Sequence, residues 1–311
     1  TIVAISDDTT IDTSSGTVMS GITLKAPSGA TVVTPTTTLM KEGDLTAAQV
    51  ATVLGLPSGV DPTSFNPYAS GVDATKALAV EKVSQQLMSV VNSFAASAEG
   101  AGASQANAFT ASLKSVVEVV KSKATASGTL DLTNSTDLDL IKTQASTEMT
   151  SVSGISKTAF DALAADTTTA IKNVNTKISS VTDLTSDAAK NTFSTVSALQ
   201  DQVKTAATAE KASAGSGSAS ITFKTSSNVD TAASNKAPTD IALSSTSISE
   251  AASSLVIGTL STTDSDQTAG TAFTYSLAEL DDYSSFSINQ ATGELSLSLI
   301  HISEPTRPFH I

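Results

Sequence analysis

Between residues 80 and 206, apolar side chains recur mostly three or four positions apart in five successive stretches. Val80, Val83, Leu87, Val90 and Phe94 form the first stripe, and Phe109, Leu113, Val116, Val117 and Val120 the second. Leu138, Ile141, Ala145 and Met149 follow, then Phe160, Leu163, Ile171, Val174, Ile178 and Val181, and finally Val196, Leu199, Val203 and Ala206. Steps of three and four keep side chains on one side of an α-helix, whereas a half-buried strand needs every second residue. A shorter run, DLTAAQVATVLGL, puts Leu45, Val50, Val53 and Leu54 on one side, with Asp44 or Thr46 available as N-cap and Gly55 and Pro57 as stops. The links are short, so neighbouring helices are expected to run antiparallel in a bundle spanning residues 44–213. Only 4% of residues are aromatic and none is tryptophan, so Ala, Val, Leu and Ile must fill most of that core.

The flanks read differently. Residues 1–39 look extended, with TIVAI as a β-type run, and with the link that follows they make an extended segment, 1–43. Residues 214–236 read as a linker: GSGSAS punctuates the chain, ITFK suggests a short strand, and TSSNVDTAASNKAP is polar. Beyond it the period changes from helical to alternating in DIALSSTSIS, LVIGTLSTT, AFTYSLAEL and FSINQATGELSL, the pattern of an antiparallel β-sandwich across 237–296. The expected fold class is multidomain, α plus all-β: a mainly helical bundle followed by an incomplete sandwich.

Charge and chemistry narrow the function. A net charge of −13 argues against a nucleic-acid partner, which needs a basic face. It suits Ca²⁺, a hard cation held by carboxylate and carbonyl oxygens. The absence of cysteine excludes disulfides, thiol catalysis and thiolate metal sites. No apolar run approaches the roughly 18 residues of a membrane span, so no transmembrane segment is expected. The start, TIVAISDD, reads as the middle of a longer protein. Both histidines, His301 and His310, and the one arginine, Arg307, fall in the final stretch 297–311. Without that stretch there is no imidazole for acid–base work, for zinc or for a Ser-His-Asp triad. No P-loop is present, since GSGSAS follows a helical pattern and lacks the lysine. The chain is expected to be non-catalytic, with Asp281 and Asp282 in a solvated loop.

Residues 236–297 carry APTDIALS, the Glu of SISEAA, VIGTLSTTDSD, FTYSL and FSINQATGEL in that order. This series resembles the cadherin-like repeats of large bacterial surface proteins. The resemblance implies that Glu250, Asp264 and Asp266 are Ca²⁺ ligands; Asp264 and Asp266, two apart in an extended segment, point the same way. The linker departs from the family, with Lys236 in AASNKAP where a ligand would be useful. The family's last two strands would follow residue 297, so an open sheet edge and a partly exposed core are expected. A second stretch, LKAPSGATVVTPTTTLMKEGDLTAAQVATVLGLPSGVDPTSFNPY, looks like a helical module of very large bacterial exoproteins. Residues 297–307, LSLIHISEPTR, resemble a translated adapter used in preparing DNA libraries, which makes 297–311 an adapter-derived tail.

Together these imply a fragment of an exported, adhesin-like bacterial surface protein, extracellular, with Ca²⁺ stiffening the repeat. Its partners would be other cell-surface proteins, glycans or neighbouring repeats of the same protein. The alternatives are the non-catalytic spacer modules of a secreted hydrolase, or a structural stalk that self-associates through its helices.

Overall fold

In the computed structural model of the chain, residues 1–234, 238, 240–249, 254–264, 273–278 and 282–298 are described. Among them the fold is mixed α+β, with eight α-helices and two small antiparallel sheets. The chain forms two compact units, Thr1–Ser234 and Asn235–Ile311.

The first unit opens with β1 (Ile2–Ile5) paired antiparallel to β2 (Thr23–Ala26), Ile2 opposite Ala26 and Ile5 opposite Thr23. Eight helices follow: α1 (Pro35–Gly43), α2 (Ala47–Val53), α3 (Ala74–Gly100), α4 (Gln105–Thr125), α5 (Ser135–Glu148), α6 (Lys157–Ser179), α7 (Asp187–Ala212) and α8 (Ser226–Ser234). The helix α1 corrects the expectation that the chain stays extended to residue 39. Thr34 caps it, accepting from the Thr37 backbone N–H while the Thr37 hydroxyl accepts from the Thr34 N–H, and Pro35 fills the first turn. Thr46 rather than Asp44 caps α2, in the same reciprocal arrangement with Gln49. Asp44 instead ends α1 in the left-handed region, at φ 52°. The five long helices start on Asp73, Ser104, Asn134, Ser156 and Ser186, each accepting from a backbone N–H of the first turn.

The stripes read from the sequence face inward. Val80, Leu87, Val90 and Phe94 of α3 are buried, as are Val116, Val117, Val120, Leu138, Ile141, Met149, Phe160, Leu163, Ile171, Val174, Ile178, Leu199 and Val203. Phe94, Phe160 and Phe193 are the largest fully buried side chains, and burial of each contributes roughly 1.5–3 kcal/mol. The ion pairs Lys114–Glu148 and Lys123–Asp137 show α4 and α5 to be antiparallel. Gln86 of α3 donates to the Asn175 carbonyl of α6 at 3.1 Å, while Phe94 meets Phe160 at 6.3 Å between ring centres, so α3 and α6 are antiparallel. Gly215, just past the end of α7, lies against Thr158 at the start of α6, so α6 and α7 are also antiparallel and α3 and α7 run parallel.

They run close together. A Cβ on Gly100 would lie 2.3 Å from the Lys204 carbonyl oxygen and 2.7 Å from the Ala207 Cβ. Ser89, Ser93 and Ser97, one helical turn apart on α3, are fully buried. Small residues let this helix be surrounded.

Two further expectations are corrected after α7. ITFK is not a strand: Thr222–Lys224 form a single 3-10 turn that buries Phe223. Within the supposed polar linker, residues 226–234 form α8, whose i, i+4 pair Val229 and Ala233 is buried. That pair is the shortest amphipathic signal a helix can give. GSGSAS is pinned rather than loose, since the Glu210 carboxylate accepts from the backbone N–H groups of Ala219 at 2.5 Å and Gly217 at 2.8 Å. These donors hold its pKa below the ordinary carboxylate value.

In the second unit, β3 (Asp240–Leu243), β4 (Val256–Thr263), β5 (Phe286–Ile288) and β6 (Glu294–Leu297) form one antiparallel sheet in the order β3-β4-β6-β5. Leu243 lies opposite Leu260, Leu295 opposite Ile288, and Leu297 opposite Phe286. A register shift between Val256 and Gly258 bends β4. The described part of AFTYSLAEL, residues 273–278, forms no strand, a further departure from expectation. Its side chains still alternate, Phe273, Tyr275 and Leu277 half-buried and their neighbours exposed. Among the described residues of this unit only Gly258 and Gly293 are buried, and Ile241 is 59% exposed.

Gly100→Ala should destabilise the first unit by about 1–3 kcal/mol in a urea melt, because the added methyl meets backbone and α7 must move. Helix propensity alone predicts a gain of up to about 1 kcal/mol, so a stabilised variant would refute the close-approach account. Glu210→Gln should weaken the hold on residues 215–221. Its depressed carboxyl contributes stability above the ordinary carboxylate pKa that is lost as pH falls through the lowered value. Amide exchange at Gly217 and Ala219 should quicken in the variant at neutral pH and converge with the parent in acid; equal rates throughout would exclude the role.

Candidate functional site

Of the three residues that the cadherin resemblance marks as Ca²⁺ ligands, Asp264 is described: it follows the last residue of β4 directly, half-buried and engaged with other groups. Glu250 and Asp266 lie outside the described residues, as do Lys236, Asp281 and the tail 299–311 with both histidines and Arg307. Among the described residues no group of three His, Cys, Asp or Glu side chains converges as a metal site. Donors of the proposed set are all carboxylates, the hard oxygen type that Ca²⁺ takes. Asp282 is exposed, as a solvated loop residue is.

The first unit holds a feature that the sequence did not reveal. A cleft of about 480 Å³ opens between α3, the middle of α7, the start of α4 and the segments around residues 12–24, 32–35 and 65–68. Its floor carries a buried polar network. Gln85 Nε2 donates to Ser14 Oγ at 2.6 Å, to Glu81 Oε1 at 3.0 Å and to Asp12 Oδ2 at 3.3 Å. Ser14 and Ser15 hydroxyls donate to the Asp12 carboxylate at 2.8 and 2.7 Å. Helical spacing brings Glu81 and Gln85 to one face of α3, and the Asx turn DTSSG brings Asp12 and Ser14 to meet them.

Electrostatics there are unusual. Glu81 is 6% exposed. Desolvation raises its pKa most, the Asp12 charge adds to the rise, and hydrogen bonds with Gln85, Tyr68 and Ser14 oppose it. Tyr68 is pushed well above its ordinary value by burial first, and then by the charges of Glu81 and Asp12. Neither Asp12 nor Glu81 is in an ion pair among the described residues. A buried carboxyl with a raised pKa in a cleft marks a candidate functional position, and structural networks perturb carboxyl pKa values as well. A raised pKa alone assigns no reaction to the cleft.

The one sequence signal for this cluster was the pair Glu81 and Gln85 beside the apolar stripe of α3, too polar for a wholly apolar core. What they face comes from residues about seventy positions away. No protein-family model, curated protein or solved structure matches the chain.

The raised Glu81 pKa has a definite sign. The folded state favours the protonated acid, so its contribution is complete below the ordinary carboxylate pKa and is lost as pH rises through the raised value. Glu81→Gln removes that titration. The parent should therefore lose stability relative to the variant between acidic and neutral pH, read from urea midpoints. A difference that does not change with pH would show that Glu81 does not titrate abnormally.

Proposed function

We propose that the chain is a non-catalytic part of an exported, adhesin-like bacterial surface protein, in which a helical unit precedes a Ca²⁺-binding cadherin-like repeat. The observation that carries this is the strand order β3-β4-β6-β5. If β3, β4, residues 273–278, β5 and β6 are taken as strands A to E of a Greek-key sandwich, the sheet has the order A-B-E-D. That is the order of one sheet of such sandwiches, whose strand C belongs to the opposite sheet. Among the described residues, 273–278 join no ladder and make one backbone bond to this sheet's chain, from the Tyr275 N–H to the Gln290 carbonyl at 3.0 Å, which fits strand C. The half-exposed apolar face of Leu243, Leu260, Phe286 and Leu295 fits an inner face.

In this reading Glu250, Asp264 and Asp266 hold Ca²⁺ at the end of the repeat. The ion neutralises clustered carboxylates and restricts the hinge, so that successive repeats extend as a rod. The helical unit, built from capped helices with no long apolar span, adds length or carries the adhesive contact. None of its described helices is long and apolar enough to cross a membrane.

Calorimetry of the whole chain tests the reading. Ca²⁺ at a hundredfold excess over its Kd should stabilise the second unit by about 2.7 kcal/mol, a rise of several degrees in its transition. Asp264→Ala should abolish the rise and leave the helical transition in place. An unchanged parent transition would remove the Ca²⁺ role, and a rise that survives Asp264→Ala would put the ion elsewhere.

A further inference from the structure

The cleft of the first unit is lined by polar side chains that have no partner. Ser84, 8% exposed, and the half-buried Asn92 stand two helical turns apart on α3. Ser197 and Gln200, also half-buried, line it from α7. None of the four side chains makes a hydrogen bond among the described residues. None of the four polar ends is among the fully buried atoms without a partner, so each is reachable from the open cleft. Here they stand in a row about 12 Å long on α3, at 1.5 Å rise per residue, facing a space large enough for a small ligand. Tyr68, half-exposed, presents its ring at the same opening.

We propose that this cleft binds a neutral oligosaccharide. Each feature of the walls selects against another class. An apolar ligand would strip water from Ser84, Asn92, Ser197 and Gln200 and return no hydrogen bond. An anion would meet Asp12, Glu81, Glu99 and Asp201, with Lys204 the one cation on the walls and already paired to Glu99 at 2.8 Å. Sugar hydroxyls both donate and accept, as the two carboxamides and two serine hydroxyls require, and donate to carboxylates. The apolar C–H face of a sugar ring packs on Tyr68, or on Met88 and Val196, which also line the cleft. The inference deepens the adhesive reading by naming a ligand class and a site in the helical unit; it rests on that reading only for where such a ligand would be met.

The test uses the whole chain and named probes: maltotriose, cellotriose, chitotriose and mannotriose, with a sulfated heparin trisaccharide as control. Saturation-transfer NMR reports binding, and amide shift changes locate it. At least one neutral trisaccharide should bind, with shifts at Ser84, Asn92 and Gln200. The double variant Asn92→Ala, Gln200→Ala should weaken it at least tenfold, while Asp264→Ala, in the other unit, leaves it unchanged. Tyr68→Ala, at an exposed position, gives the same loss if the double variant fails to fold. Binding of none of the four, tighter binding of the sulfated control, or shifts confined to other residues would each overturn the proposal. A Ca²⁺-dependent transition with no sugar binding removes only this site; sugar binding without Ca²⁺ stabilisation removes only the cadherin-like reading.

Discussion

The close passage of α3 beside α7 organises the first unit. A 27-residue helix that is buried for most of its length must be approached from several sides. Bulk on every side would hold the neighbours apart. Ser89, Ser93, Ser97 and Gly100 supply a narrow face, and the phenylalanines Phe94, Phe160 and Phe193 fill what remains. This has a cost. The hydroxyls of Ser89, Ser93, Ser97 and Thr167 find no hydrogen-bond partner, and each such group costs about 1–3 kcal/mol. Alanine would fit the same space without that cost; nothing in the structure explains why serine stands there.

The Ser, Thr and Asp content otherwise has a clear structural use. A chain without disulfides must fix its turns by other means. Asp7 accepts from Thr9, Asp61 from Thr63, Asp131 from Thr133 and Asp183 from Thr185, each binding the backbone two residues on. Asp12 does the same with Ser14 and is also tied to Gln85 of α3. The carboxylates scattered along the chain are thus mainly turn-formers, which is why the acidic charge does not gather into a metal cluster among the described residues. At the far end, Glu210 gathers the backbone of GSGSAS in the same manner and leads the chain into α8.

The two units divide the functional argument. The second carries its evidence in topology and in a sequence series, with Asp264 at a strand end. The first carries it in a cleft whose floor is tightly bonded and whose walls are not. Glu81, Gln85, Ser14 and Asp12 satisfy one another; Ser84, Asn92, Ser197 and Gln200 do not. That contrast separates a structural network, which fastens the segment around residue 12 to α3, from groups left open to a ligand.

What the sequence determined by itself were the features set within one helical turn or one strand: the five apolar stripes, their stops at glycine and proline, and the alternation after residue 240. These depend on periods of 3.6 and 2, which neighbouring residues fix. Local signals were also overread or missed. The Thr34-Pro35 start of α1 was legible as a cap followed by proline but lay inside a β-like run, and ITFK had β-formers but no strand to pair with. Only the tertiary structure decided that α8 forms, because Val229 and Ala233 make a helix worthwhile only against a surface already built. It also decided the cleft, because Glu81 and Gln85 acquire their meaning from Asp12 and Ser14, and Asn92 from Gln200, more than a hundred residues away. Sequence spacing carries no information about such pairs; the packing of α7 along α3 brings them together.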